Sequence, residues 1–365
     1  MEEETPSGAG GFGTQCVESK GFPLYDRFPG LAALPRAVLG VYPSPVERVA
    51  LAGGGTLWLK RDDRNAPVAA GNKVRALEFL LGAVRPGDVV LAVGGEGSTH
   101  VYATAVHASR LGARAEVIRW AHAMHPVSLA VARAIERGSA KSASSQWAVV
   151  ALARAMAWRA AASRTPGRHY IPPGGSSPAG ILGHVGAGLE LAEQIAAGEL
   201  PAPTHVVLPL GTGGTAAGLA LGLGVAGVDT TVVAARVAPR IVANAFRVQT
   251  LIRQTRRLLR RHGRGDGALP AVPVLVDDSA YAGEYGRPSA AGAVAADRLS
   301  EAASASGVSP LLLDATYAAK AGAVALALAT REGGSARRVV LWVTFDGRPF
   351  AGSSAETDER HASGP

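Results

Sequence analysis

The sequence predicts an α/β protein with mostly parallel sheets and helices on both sheet faces. Three observations predict it. Apolar stretches of strand length alternate with helical stretches along most of the chain. Several of those strands run straight into glycine-rich turns that open a helix. The hydrophobic fraction of 47% is ample for a large core, and the apolar strands read as buried on both faces.

The elements follow in order. "TLWLKRD" (56–62) is a strand entering a polar loop, and "DVVLAVGG" (88–95) is a buried strand ending in glycines. "THVYATAVHASRLG" (99–112) reads as a helix and "RAEVIRW" (114–120) as the next strand. A long helix starts near Ser177. "HVVLPL" (205–210) is a strand, followed by "GTGG" and the helix "TAAGLALGLGVAG". "TTVVAARV" (230–237) and "RRVVLWVTFDG" (337–347) are later strands. Residues 1–20 and the C-terminal stretch from 353 read as disordered tails.

Composition narrows the function. Cys16 is the only cysteine, so no disulfide framework or cysteine-based metal site forms within one chain, and no metal is expected. The net charge of +8 raises nucleic acid as a partner, but the arginines are scattered except in "RQTRRLLRRHGRG" (253–265). That run has no aromatic interleaving and reads as a solvated helix face, so no nucleic-acid partner is expected. "VVALARAMAWRAAA" is interrupted by arginines and too short to span a bilayer, so no membrane partner is expected either. The acidic, polar N-terminus is unlike a signal peptide, and a cytoplasmic location is expected.

Only five of the 37 basic residues are lysines, at 20, 60, 73, 141 and 320. Lys73 is the odd one. In "AAGNKVRALEFL" the apolar residues fall at 74, 77, 80 and 81, a helical spacing preceded by the Gly71-Asn72 turn. Lys73 therefore sits in the first helical turn, where the helix dipole disfavours a cation by about 0.3–1 kcal/mol. It is either a plain solvated lysine or an amine held neutral so that it can react. Lys20 lies in the tail, Lys141 in the polar run "KSASSQ" and Lys320 on an alanine-rich helix; Lys60, on a strand near its loop, is the rival.

Two turns look built for anions. "LPLGTGGTAAG" places Gly211, Thr212, Gly213, Gly214 and Thr215 between strand and helix, a phosphate cradle. Gly211, Gly213 and Ala216 also match G-x-G-x-x-A, which keeps a dinucleotide open. The acidic residue that NAD requires is missing from the end of the next strand, where Arg236 would suit NADP. In "VGGEGSTH" Ser98 and Thr99 open a helix and suit a carboxylate, or simply cap that helix. A reactive lysine, a phosphate cradle and a carboxylate cradle are what pyridoxal phosphate bound to an amino acid needs.

Five blocks in fixed order carry a resemblance: "LWLKRDDRNAPVAAGNKVRALEFL", "VGGEGSTH", "YIPPGGSSPAGILGHV", "LPLGTGGTAAG" and "GEYGRPS". Together they resemble the 1-aminocyclopropane-1-carboxylate deaminase / D-cysteine desulfhydrase family, over about residues 20 to 350. The resemblance implies pyridoxal phosphate as cofactor and fold type II, the tryptophan synthase β-like fold of two three-layer αβα domains. It implies a large cofactor-binding domain (21–75 plus 173–352) and a small domain (76–172). By resemblance Lys73 forms the Schiff base and shuttles the proton, with Asn72 and Thr99 beside the cofactor. Ser98 holds the substrate carboxylate, Gly211–Thr215 bind phosphate, and Tyr285 faces the substrate. The implied reaction is deamination with elimination on a small amino acid, releasing ammonia and a 2-oxo acid, in a homodimer. A β-replacement synthase, a racemase or a non-catalytic member is compatible with the same fold.

The chain departs from the family pattern at several places. Gly97 and Thr99 stand where the family usually has Gln and Asn, and Ala76 where it often has a basic residue. A second active-site tyrosine, expected about one helix upstream of Tyr285, is absent from 251–265. The late strand ends "TFDG" in place of H-T-G-G, leaving Thr344 or Asp346 to approach the pyridine nitrogen.

Overall fold

The computed structural model describes residues 21–348 apart from 140, 264–266, 309 and 331–336. Both expected disordered tails lie outside the described residues. The elements in chain order are α1 (Pro23–Arg27), β1 (Val46–Ala50), β2 (Thr56–Arg61), α2 (Asn72–Leu80), β3 (Val89–Gly95), α3 (Thr99–Arg110), β4 (Arg114–Trp120), α4 (Pro126–Gly138), β5 (Lys141–Ser145) and α5 (Ala148–Ala162). They continue with β6 (Arg168–Ile171), α6 (Pro178–Ala196), β7 (His205–Leu210), α7 (Gly214–Val225), β8 (Thr231–Arg236), α8 (Ala245–His262), β9 (Val274–Asp277), α9 (Ala290–Ala305), α10 (Ala318–Thr330) and β10 (Val339–Val343).

These strands form two sheets. The larger runs β1-β2-β10-β7-β8-β9 and is parallel except for the β1–β2 pair. The smaller runs β5-β4-β3-β6 and is parallel throughout. The predicted parallel α/β architecture is what the chain adopts.

Strand alternation explains the layers. In β7, Val206, Leu208 and Leu210 pack with α6, α7 and α8, whereas Val207 faces the α9–α10 side. In the smaller sheet Val90 and Ala92 pack toward α3, and Leu91 and Val93 toward α5. β5 is the exception to an apolar strand. Its sequence KSASS reads as a polar run, yet it pairs with β4 at the sheet edge, where little burial is demanded of it. Residues 253–262 of the arginine-rich segment belong to α8, which buries Val248, Leu251, Ile252 and Leu259 on one face, as a solvated amphipathic helix should. No helix among the described residues is long and apolar enough to cross a membrane.

A buried ionic cluster joins β2, α2 and α6. The Arg75 guanidinium donates to Asp62 (2.7 and 2.9 Å) and to Glu190 (2.8 and 3.0 Å). Trp342 Nε1 donates to the same Asp62 at 2.7 Å. Lys60 reaches Glu190, Gln194 and the Ser44 carbonyl. Burial alone would raise Glu190, but Arg75 and Lys60 outweigh it and hold the carboxyl at about 2. Lys60, the rival lysine, is thereby committed to the core. Replacing Arg75 with methionine leaves two carboxylates facing Lys60 alone. The expected cost is about 3–5 kcal/mol in urea unfolding, the penalty for stranding a buried charge; a loss below about 1 kcal/mol would deny the cluster its structural role.

Candidate active site

The site forms where strands β2, β3, β7 and β10 end, the edge at which ligands bind in parallel sheets. After β2 the chain turns through Asn65, whose side chain accepts from Gly71 N and donates to Gly71 O (both 3.1 Å). Gly71 has φ 117°, and a Cβ there would stand 2.5 Å from Thr344 O, so only glycine lets α2 start against the end of β10. Lys73 is the second residue of α2. Its side chain is partly buried, and desolvation brings the amine from 10.5 to about 8. It lines a cavity with Ala69, Ala70, Thr99, Tyr102 and Thr344. Asp346 also borders this cavity, but its carboxylate accepts from Ala70 N (3.0 Å) and from Arg348. Thr344 thus lines the cavity with a side chain free of such engagement.

Asn72 ties this segment to the glycine turn after β7, donating to Thr215 Oγ1 at 2.8 Å. In that turn Gly213 caps α7, and a Cβ built on Gly211 meets no atom within 4 Å, so open space faces the start of the helix. Ser176 supports the turn: its hydroxyl pairs with Thr212 Oγ1 at 2.6 Å and accepts from Gly214 N at 3.2 Å. Sequence reading passed over Ser176, although it lies inside a quoted block. The alternative dinucleotide reading loses its arginine, because Arg236 is paired with Asp278 and stacked over Tyr281 at 4.2 Å.

Ser98 is the N-cap of α3 in position only; its side chain makes no capping hydrogen bond. The buried residue lies close to Tyr285 and Tyr317, and these two phenols hydrogen-bond each other. Burial pushes Tyr285 up to about 12, so it is protonated at neutral pH. Tyr317 is a second tyrosine, but it comes from downstream of Tyr285, not upstream. It precedes α10, where Asp314 accepts from the backbone N of Thr316 (3.1 Å), Tyr317 (2.9 Å) and Ala318 (3.0 Å). The signal available in the sequence was that capping aspartate, in "LLLDATYAAK".

Three buried histidines surround the site, none singled out from sequence. His100 follows Thr99 on α3, and both its ring nitrogens lack a well-formed hydrogen bond. Burial, with the Lys73 charge adding to it, lowers this imidazole to about 3. His184 on α6 approaches Thr215 Oγ1 at 3.4 Å and is pushed well below 6.5, chiefly by burial. His107 holds the Ala69 carbonyl at 3.3 Å and is lowered to about 4, again mainly by burial. No cluster of three or more potential metal ligands occurs among the described residues.

An amine without a hydrogen-bond partner now stands near both turns: its neighbour Asn72 bonds Thr215 of the glycine turn, and Thr99 of the serine turn lines the same cavity as Lys73. The family model described as "Pyridoxal-phosphate dependent enzyme" matches residues 38–344. The chain belongs to the pyridoxal-phosphate-dependent enzyme family. It is 36% identical over 308 residues to nocardicin C-9' epimerase of Nocardia uniformis subsp. tsuyamanensis, covering 80% of this chain and 87% of that one. It is 31% identical over 305 residues to D-cysteine desulfhydrase of Serratia proteamaculans, with the same coverage, 80% and 87%. A solved structure of an ACC deaminase homologue superposes with TM-score 0.71 at 24% identity, covering 90% of this chain and 95% of that one, a likeness of fold. The expected resemblance and the type II fold are borne out. The residues fit the cofactor, since Lys73 offers an unengaged amine and the space before Gly211 suits a phosphate.

The neutral histidines make stability fall with acid. A free histidine titrates near 6.5, and their folded values lie far lower, so their contribution is complete above 6.5 and is lost as pH drops toward 4. Urea unfolding should lose about 1.4 kcal/mol per pH unit for each such histidine in that window. A flat profile from pH 6.5 to about 4.5 would show that they gain partners on protonation.

Proposed function

We propose that this enzyme is a deaminase or lyase acting on a small amino acid, removing the Cα proton, expelling a β-substituent and releasing ammonia and a 2-oxo acid. The observation that carries it is the Tyr285–Tyr317 phenol pair next to Ser98, whose chain neighbour Thr99 lines the cavity with Lys73. Pyridoxal phosphate, when bound between Lys73 and the 211–215 turn, supplies the electron sink that acidifies the Cα–H bond.

The chain's own residues supply the rest. Ser98 and the first N–H groups of α3 hold the substrate carboxylate. Lys73 moves the Cα proton, and an amine near 8 leaves a useful neutral fraction at physiological pH. The Tyr285–Tyr317 pair, protonated at that pH, gives a proton to the departing group. Asn72 and Thr215 hold the lysine segment against the phosphate turn. Thr344 would be the residue offered to the ring nitrogen, and a hydroxyl there would leave that nitrogen neutral, which favours elimination. Thr99, which lines the same cavity, would stand beside the ring. The proposed large domain (21–75 plus 173–352) and small domain (76–172) are supported by the division of the strands into two sheets. A homodimer, carried over from the resemblance, and a cytoplasmic location, read from the acidic, polar N-terminus, complete the reading.

An epimerase reading is favoured by one relative and one feature. The relative is the 36% identical epimerase. The feature is a hydroxyl chain that serves equally as a second proton carrier on the same carbon. Single enantiomers of D-cysteine and D-serine incubated in D₂O separate the two. A lyase yields ammonia and 2-oxo acid; an epimerase yields the opposite enantiomer with deuterium at Cα and no ammonia. Borohydride reduction of the holoenzyme is expected to fix the cofactor on the Lys73 peptide, and Lys73→Ala is expected to abolish both outcomes. Tyr317→Phe is expected to lower kcat by roughly 10²–10⁴-fold, the usual worth of a positioned acid. An unchanged kcat would remove the phenol pair from the chemistry.

A further inference from the structure

His122 follows β4 and stands where three segments meet. Its Nδ1 lies 2.7 Å from the Ala123 carbonyl, which can only accept, so Nδ1 carries the proton. Nε2 is then an acceptor, and Gly97 N donates to it at 3.3 Å. The imidazole also packs on Tyr285, with ring centroids 4.7 Å apart at 60°. The space for it is cut by glycines. A Cβ on Gly95 would lie 2.5 Å from His122 Cδ2, and one on Gly286 would lie 2.4 Å from Nδ1. One ring therefore braces the turn that presents Ser98 and the turn that presents Tyr285.

We infer that His122 is a positioning residue that sets the Ser98 turn and Tyr285 as one unit, and that it does so only as the neutral imidazole. The inference rests on reading the Ser98 turn as the carboxylate site. Protonation would place a hydrogen on Nε2 facing the Gly97 N–H, so the bond would be replaced by two opposed donors. The groups facing the ring are Glu96 on the same turn, Glu284 beside Tyr285, Tyr285 itself, and His125 at the start of α4. The two glutamates favour the charged form, but burial is the larger effect and keeps the imidazole below its ordinary value. The bond is therefore intact at neutral pH and is lost on the acid side.

The test titrates the holoenzyme with D-serine, followed by its visible spectrum, between about pH 5 and 8 around the ordinary histidine value. Serinol, which lacks the carboxylate, serves as control. Affinity for D-serine is expected to weaken about tenfold at the acid end relative to serinol, the scale of one lost hydrogen bond. His122→Gln keeps a non-titrating acceptor and is expected to hold neutral-pH affinity while losing the acid limb. His122→Phe keeps the ring on Tyr285 without an acceptor; it is expected to bind D-serine about tenfold more weakly at every pH and serinol unchanged. Nitrogen-15 NMR of the cofactor-free protein should show the neutral Nδ1-protonated tautomer at His122. An acid limb that persists in His122→Gln, affinity that rises on acidification, or an Nε2-protonated tautomer overturns the inference. A wild-type spectrum unmoved by D-serine, D-cysteine or 1-aminocyclopropane-1-carboxylate overturns the substrate reading and this inference with it. The NMR result then reports separately on whether the bond exists.

Discussion

The bidentate grip of Arg75 on Asp62 and Glu190 is the constraint on which the site depends. Arg75 is two residues from Lys73 on the same short helix, so whatever fixes the guanidinium fixes the amine. Asp62 belongs to the turn after β2, Glu190 to α6, and Trp342 on β10 holds the same Asp62. The cluster balances two carboxylates with two cations and leaves no charge stranded, the condition for ions to sit in a core without a large penalty. It is costly to break and gives a defined geometry. The Lys73 amine itself is left without a hydrogen bond because its neighbours carry the architecture.

The same division of labour runs through the rest of the site. Asn65 fixes Gly71, Asn72 fixes Thr215, Ser176 fixes the glycine turn after β7, and Asp314 fixes Tyr317. Each is a polar side chain satisfying a backbone or hydroxyl group at a strand end, where regular structure stops and donors would otherwise be orphaned. The groups without such a duty are the Lys73 amine and the Thr344 side chain, and the two phenols bond each other; these are the groups to which the proposed function gives the chemistry. Burial sets their protonation, lowering the amine and raising the phenol, so that acid and base coexist near neutral pH.

What the sequence by itself determined follows from local rules. Alternating apolar strands and glycine-ended turns predicted the parallel architecture, and the strands 114–120 and 205–210 fall where the pattern put them. A lysine at a helix start and a glycine turn after a strand were legible because each is a conflict or a requirement within a few residues. Only the tertiary structure decided the rest. Tyr317 meets Tyr285 across 32 positions, His122 receives Gly97 across 25, and Trp342 reaches Asp62 across 280. No periodicity or spacing encodes such pairs, because their partners are chosen by where strands end in the sheet. The polar β5 became a strand, the cap-like Ser98 made no capping bond to its helix, and Lys60 became a core ion for the same reason. At each of these positions the burial and pairing imposed by distant segments outweighed local preference.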